Sequence, residues 1–176
     1  MDRKEDAFKQ SLNENGILKP EIPEDKGQGK SQKTVHMYLE NGAKSVHPCQ
    51  GWYGYVLEYQ GIRLHTREHF GKAEGSRQKR DLEMLLDALG RCTPCRIIVH
   101  TEEAYLAGGY GRMEHYEESG WVTSTGEPVK YKELWQRVYR ETRERPLEFA
   151  LGDHSYTGWL RNEMKKRKEG GEQDVR

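Results

Sequence analysis

The run Cys95-Arg-Ile-Ile-Val-His-Thr101 constrains this chain more than any other stretch. It is almost continuously apolar, as expected of a strand buried on both faces, and it ends at Glu102-Glu103. Just before it, Leu82, Leu85, Leu86 and Leu89 recur at helical spacing, and Gly90 follows the last of them as a stop signal. Further upstream, Thr34-Val-His-Met-Tyr-Leu-Glu40 alternates, with Val35, Met37 and Leu39 on one side and His36, Tyr38 and Glu40 on the other. A strand, helix, strand order returns through a crossover and makes a parallel pair. Between the first strand and the helix, Trp52–Tyr59 and Ile62–Phe70 are rich in aromatic and β-branched residues, and Gln60-Gly61 between them predicts a hairpin. Downstream, a second helix is expected from Glu103. Trp135, Val138, Tyr139 and Thr142 mark another, Leu147–Leu151 a short strand and Tyr156–Lys166 a closing helix. The order β-β-β-α-β-α-α-β-α is that of an α/β domain with a mixed sheet.

Hydrophobic residues are only 34% of the 176 and charged residues 33%, so a core requires the apolar positions to be concentrated, as they are between residues 34 and 165. Residues 1–33 carry Pro20, Pro23, Gly27 and Gly29 among mixed charges and read as a flexible extension, and residues 166–176 read as a flexible polar tail. The 29 basic and 29 acidic side chains cancel, so binding to nucleic acid must come from local patches. No apolar run approaches the ~18 residues of a membrane span, and the first residues lack a secretory pattern, so the expectation is a soluble, cytoplasmic protein with no membrane partner. Three cysteines fit reduced thiols. Cys92-Thr-Pro-Cys95, with Cys49 and His47, has zinc-like spacing, but a single CxxC is a weak signal beside a thiol pair at a helix-to-strand turn.

Several motifs resemble the ribonuclease HI family, from about Val35 to Met164. Gly120-Trp-Val-Thr-Ser-Thr-Gly-Glu-Pro-Val-Lys130, followed by Leu134-Trp-Gln-Arg137, resembles that family's substrate handle and the helix after it. Gly51-Trp-Tyr-Gly-Tyr-Val-Leu57 resembles its glycine-rich second strand, and Thr101-Glu-Glu-Ala-Tyr-Leu106 stands where the family has Thr-Asp-Ser-x-Tyr-Val. The resemblance implies a ribonuclease H-like fold, a five-stranded mixed sheet of three antiparallel strands and then parallel ones, with helices on both faces. It also implies hydrolysis of the RNA strand of RNA–DNA hybrids by two divalent ions, Mg²⁺ or Mn²⁺, held by four acids. Hard cations want oxygen ligands, and a pair about 4 Å apart activates water and stabilises the leaving oxygen.

Matched motif by motif, the four acids fall on Glu40, Asp81, Glu102 and Asn162, so three carboxylates remain as implied metal ligands and the fourth position is neutral. Glu replaces Asp twice and Asp replaces Glu once. A carboxylate moved by about an ångström in a preorganised site costs roughly a hundredfold in rate, so impaired hydrolysis is expected. Gly152-Asp-His154 resembles the loop carrying the family's mobile histidine, which makes His154 an implied auxiliary. Gln78, Trp121, Lys130 and Arg137 are the implied nucleic-acid contacts. Where the handle usually carries cations, this chain has Glu117-Glu-Ser119, so its hold on phosphate should be weak.

Plainer explanations compete at each position. Strand-end acids are commonly solvated, an acid early in a helix is explained by the macrodipole, and a tryptophan anchoring a helix to a sheet is more often core than ligand contact, as expected for Trp135. Lys165-Lys-Arg-Lys168 fits a solvated helix end. Three readings stay open: a metal-dependent ribonuclease H-like endonuclease, a non-catalytic nucleic-acid-binding module on the same fold, and a protein-interaction domain.

Overall fold

The computed structural model describes residues 33–173. The expected extension of residues 1–33 lies outside the described residues except for Lys33. The ladder starts at β1 (Thr34–Asn41), which pairs antiparallel with β2 (Cys49–Gln60), and β2 pairs antiparallel with β3 (Leu64–Gly75). Helix α1 (Arg77–Gly90) then crosses over to β4 (Arg96–Thr101), which lies parallel to β1 with Met37 opposite Val99. Helices α2 (Ala104–Tyr110), α3 (Met113–Glu118) and α4 (Lys132–Thr142) lead to β5 (Leu147–Leu151), parallel to β4, and the described chain closes with α5 (Thr157–Gln173). The sheet order β3-β2-β1-β4-β5 is the ribonuclease H-like mixed sheet.

The two faces are covered unequally. On one, Met37, Leu39, Tyr55, Ile97 and Val99 pack against Leu82, Leu85 and Leu89 of α1 and Trp135 and Val138 of α4. On the other, among the described residues, only α5 lies over the sheet, setting Leu160 and Met164 on Tyr38 and Val56. Burial along β4 therefore alternates, with Ile97 and Val99 buried and Ile98 half-buried, rather than being complete on both faces as the apolar run predicts. Gly54, opposite Glu40, permits the approach of α5: a Cβ there would meet the Phe70 ring at 2.7 Å and Leu160 at 3.2 Å.

Four local features differ from expectation for identifiable reasons. The hairpin turns through residues 61–63, with Ile62 fully exposed at the tip where no other element reaches it, and β3 runs from Leu64 on to Gly75. Three helices, not two, separate β4 from β5, because the glycine-rich Gly108-Gly109-Tyr110-Gly111 breaks the first after two turns. Ser76 caps α1 by accepting from the Lys79 amide, so the helix starts early enough to leave Asp81 beyond the first turn, out of reach of the macrodipole explanation. The expected tail from residue 166 is helical through Gln173, supported by Glu163 pairing with Lys166 and Arg167 at 2.9 and 3.1 Å. No described helix is long and apolar enough to cross a membrane.

Candidate active site

Parallel pairing of β1 and β4 brings their carboxyl ends together, and with them Glu40 and Glu102. Ligands in open α/β sheets gather at such strand ends. The Glu40 side chain is only 3% exposed, and its Oε2 has no hydrogen-bond partner among the described residues. Its other oxygen accepts from Arg161 Nε at 2.7 Å, and the same guanidinium donates through Nη2 to Glu102. Lys44 adds a second cation, its Nζ 3.0 Å from Glu102 and 3.9 Å from Glu40. Glu40 and Glu102 are thus bridged by two cations of the chain itself, with Asp153 as a third acid beside Glu102 and Arg161.

The electrostatics follow. Burial pushes the Glu40 carboxyl up, against the opposing pull of Arg161 and Lys44. The hydrogen bond from Lys44 holds Glu102 well below the usual carboxylate range. The guanidinium of Arg161 is raised by its bond to Glu40.

Asp81 comes from α1 beneath β1, yet it is turned to a different partner. It is 1% exposed and accepts from Asn41 Nδ2 at 2.7 Å, while Asn41 Oδ1 accepts from the Ala43 amide at 3.2 Å. Burial raises its pKa to about 7, with the nearby Glu103 adding to the shift. Glu103, the N-cap of α2, is held by a two-pronged ion pair with Arg77 at 2.8 and 3.1 Å. Arg80 braces the loop that follows β1: its guanidinium donates to the carbonyls of Gly75 at 2.6 Å and Ala43 at 2.7 Å.

His154 lies 3.9 Å from Glu40 Oε2, and its side chain is buried. Its Nε2 donates to the Leu39 carbonyl at 3.2 Å and its Nδ1 accepts from the Tyr156 amide at 3.2 Å, a pattern that requires the neutral ring. Burial lowers its pKa in agreement. Asn162 does not enter the site and is exposed. Leu160 and Met164 face the sheet, so the residue after Leu160, turned by about 100°, reaches the strand ends, and that residue is Arg161.

The remaining sequence candidates separate. Trp121 is 4% exposed and donates to Glu117 at 2.6 Å, so it belongs to the core and presents no ring to a ligand. Trp135 is likewise buried and donates to Tyr105. Gln78 is half-buried, while Lys130 and Arg137 are exposed, Lys130 lying 5.2 Å from the centre of the Tyr131 ring. Cys92 and Cys95 lie beyond the end of α1, whereas Cys49 packs on Arg80 near its start. Among the described residues, no group of three or more His, Cys, Asp or Glu side chains is arranged to hold a metal ion.

A 3-2-1-4-5 sheet with acids at the ends of β1 and β4 and a further acid on the crossover helix defines the ribonuclease H-like class of nuclease folds. The family described as RNase H matches residues 32–154. Ribonuclease H of Xanthomonas campestris pv. campestris is 31% identical over 119 residues, covering 66% of this chain and 77% of that protein. Ribonuclease H of Chromobacterium violaceum is 32% identical over 124 residues, covering 67% and 79%. Among solved structures, LC9-RNase H1, described as a type 1 RNase H with the type 2 active-site motif, superposes with a TM-score of 0.63 at 17% identity over 81% of this chain and 75% of that one. The chain belongs to the ribonuclease H family, a family of nuclease hydrolases. The matched stretch ends at His154, before the helix that carries Arg161.

Proposed function

We propose that this protein recognises RNA–DNA hybrids and hydrolyses their RNA strand at the Glu40–Glu102 site, at a rate well below that of a site with unaltered acids. The convergence of Glu40 and Glu102 at the ends of adjacent parallel strands, with Asp81 behind them, carries the reading. Family membership supports it, as does the likeness in fold to a foamy viral protease-reverse transcriptase solved with an RNA/DNA hybrid, at a TM-score of 0.53 over 89% of this chain and 22% of that one. Exposed Lys130 and Arg137 are the proposed phosphate contacts, with Gln78 as a candidate beside them.

The family works with divalent metal ions, Mg²⁺ or Mn²⁺ being the proposed ones here. The resting arrangement does not fit a pair of them. Glu40 and Glu102 are already neutralised by Arg161 and Lys44, and Asp81 is engaged by an amide. That same bridge favours a second reading, a hybrid-binding module without hydrolysis.

Incubation of a labelled hybrid with the full chain in Mg²⁺ and in Mn²⁺, beside Glu102→Gln, separates the two. The proposal expects binding and slow cleavage that the substitution abolishes. Binding without cleavage establishes the second reading, and failure to bind a hybrid contradicts both.

A further inference from the structure

We infer that Arg161 and Lys44 occupy the place of divalent cations between Glu40 and Glu102, so that ions enter this site only when Arg161 is displaced. The inference rests on the strand-end acids being the ribonuclease H site of this chain, and it concerns what closes that site rather than which nucleic acid approaches it.

Position is the first argument. Arg161 stands one residue before the expected fourth ligand, on the face of α5 that the packing of Leu160 and Met164 turns toward β1. The fourth acid is therefore not merely replaced by an amide; from the preceding residue a cation reaches Glu40 and Glu102. Charge balance is the second. Glu40 and Glu102 meet one guanidinium and one ammonium, with the Asp153 carboxyl group beside Glu102 and Arg161 as well, and a divalent ion brought to the oxygens of Glu40 and Glu102 would lie within a few ångströms of both cations. Burial is the third. Glu40 is almost wholly enclosed, so removing Arg161 leaves a buried carboxylate faced by Lys44 at 3.9 Å, with an Oε2 that has no partner among the described residues, and favours a closer counter-ion.

The bridge also has space beside it into which it could open. The Arg161 side chain is 40% exposed and borders a cleft of about 550 Å³ between α5 and β2–β3, lined by Lys72, Arg167 and Lys168 as well. A side chain turned into that cleft, which Met164 also lines, would no longer bridge the acids.

Mn²⁺ titration of the full chain, read by the loss of free-ion signal in electron paramagnetic resonance, tests this without reference to activity. Arg161→Ala should bind Mn²⁺ at least ~10-fold more tightly than wild type, the scale on which neighbouring groups tune metal sites. Adding Glu102→Gln to that variant should remove the gain. Should Arg161→Ala lose its fold, Arg161→Gln keeps an amide against Glu40 and should show the same direction, with the melting temperature rising on Mn²⁺ addition more than in wild type. Equal affinity in wild type and a folded Arg161 variant, or a gain that survives Glu102→Gln, overturns the inference. Hybrid binding in chelator, followed by fluorescence anisotropy, reports on the proposed function independently.

Discussion

Asp81 and Arg161 show how single side chains redirect an inherited site. Burial raises the Asp81 pKa to about 7, so the folded state favours its protonated form. The stabilisation this gives is full below the ordinary value of 3.8 and is lost as the pH rises through about 7. Asp81→Asn, neutral throughout and still able to accept from Asn41, should therefore gain on wild type by up to about 4 kcal/mol between pH 4 and pH 8. Parallel denaturant curves for both proteins across that range check it, and identical pH profiles would contradict it. Glu40 and Glu102 were legible in the sequence because strand periodicity and motif order place them. Arg161 was not, because a motif aligned by residue type finds the amide of Asn162 and ignores which face of the helix is buried. The spacing of Leu160 and Met164 is the signal that points to Arg161, since it fixes the helix phase.

Among the elements, α5 joins packing to the site. Among the described residues it alone covers its face of the sheet, through Leu160 and Met164, and it carries the cation that closes the acids. Leu160→Ala should cost roughly 2–5 kcal/mol, the usual range for a fully buried leucine, measurable by chemical denaturation. A loss below about 1 kcal/mol would mean that α5 is held by its polar contacts instead. Strands and helices with a strong period were readable in advance: β1, α1, α4 and β5 lie where alternation or leucine spacing predicts them. The differences lie where a neighbour decides. Coverage by one helix makes β4 half-buried, glycines divide α2 from α3, and charge pairs extend α5 beyond residue 166.

For the molecule as a whole, 29 basic and 29 acidic groups leave no net field to draw in a polyanion, and the handle before Gly120 offers Glu117 and Glu118. Hybrid affinity should accordingly fall only gently with salt, with a slope of about 3 or less in log units, and Lys130→Ala should lower that slope by about 1. Anisotropy titrations between low and moderate salt measure both, and a steep slope unchanged by Lys130→Ala would move the phosphate contacts elsewhere. The fold that brings the acids together is thus that of the family, while the charges around them belong to this chain. Diffraction from crystals of wild type and Arg161→Ala soaked in Mn²⁺, collected for anomalous signal, tests that account most directly. It predicts a peak between Glu40 and Glu102 in the variant and none in wild type, with Arg161 still bridging the two. Two Mn²⁺ peaks on the acids of the wild-type protein would contradict it.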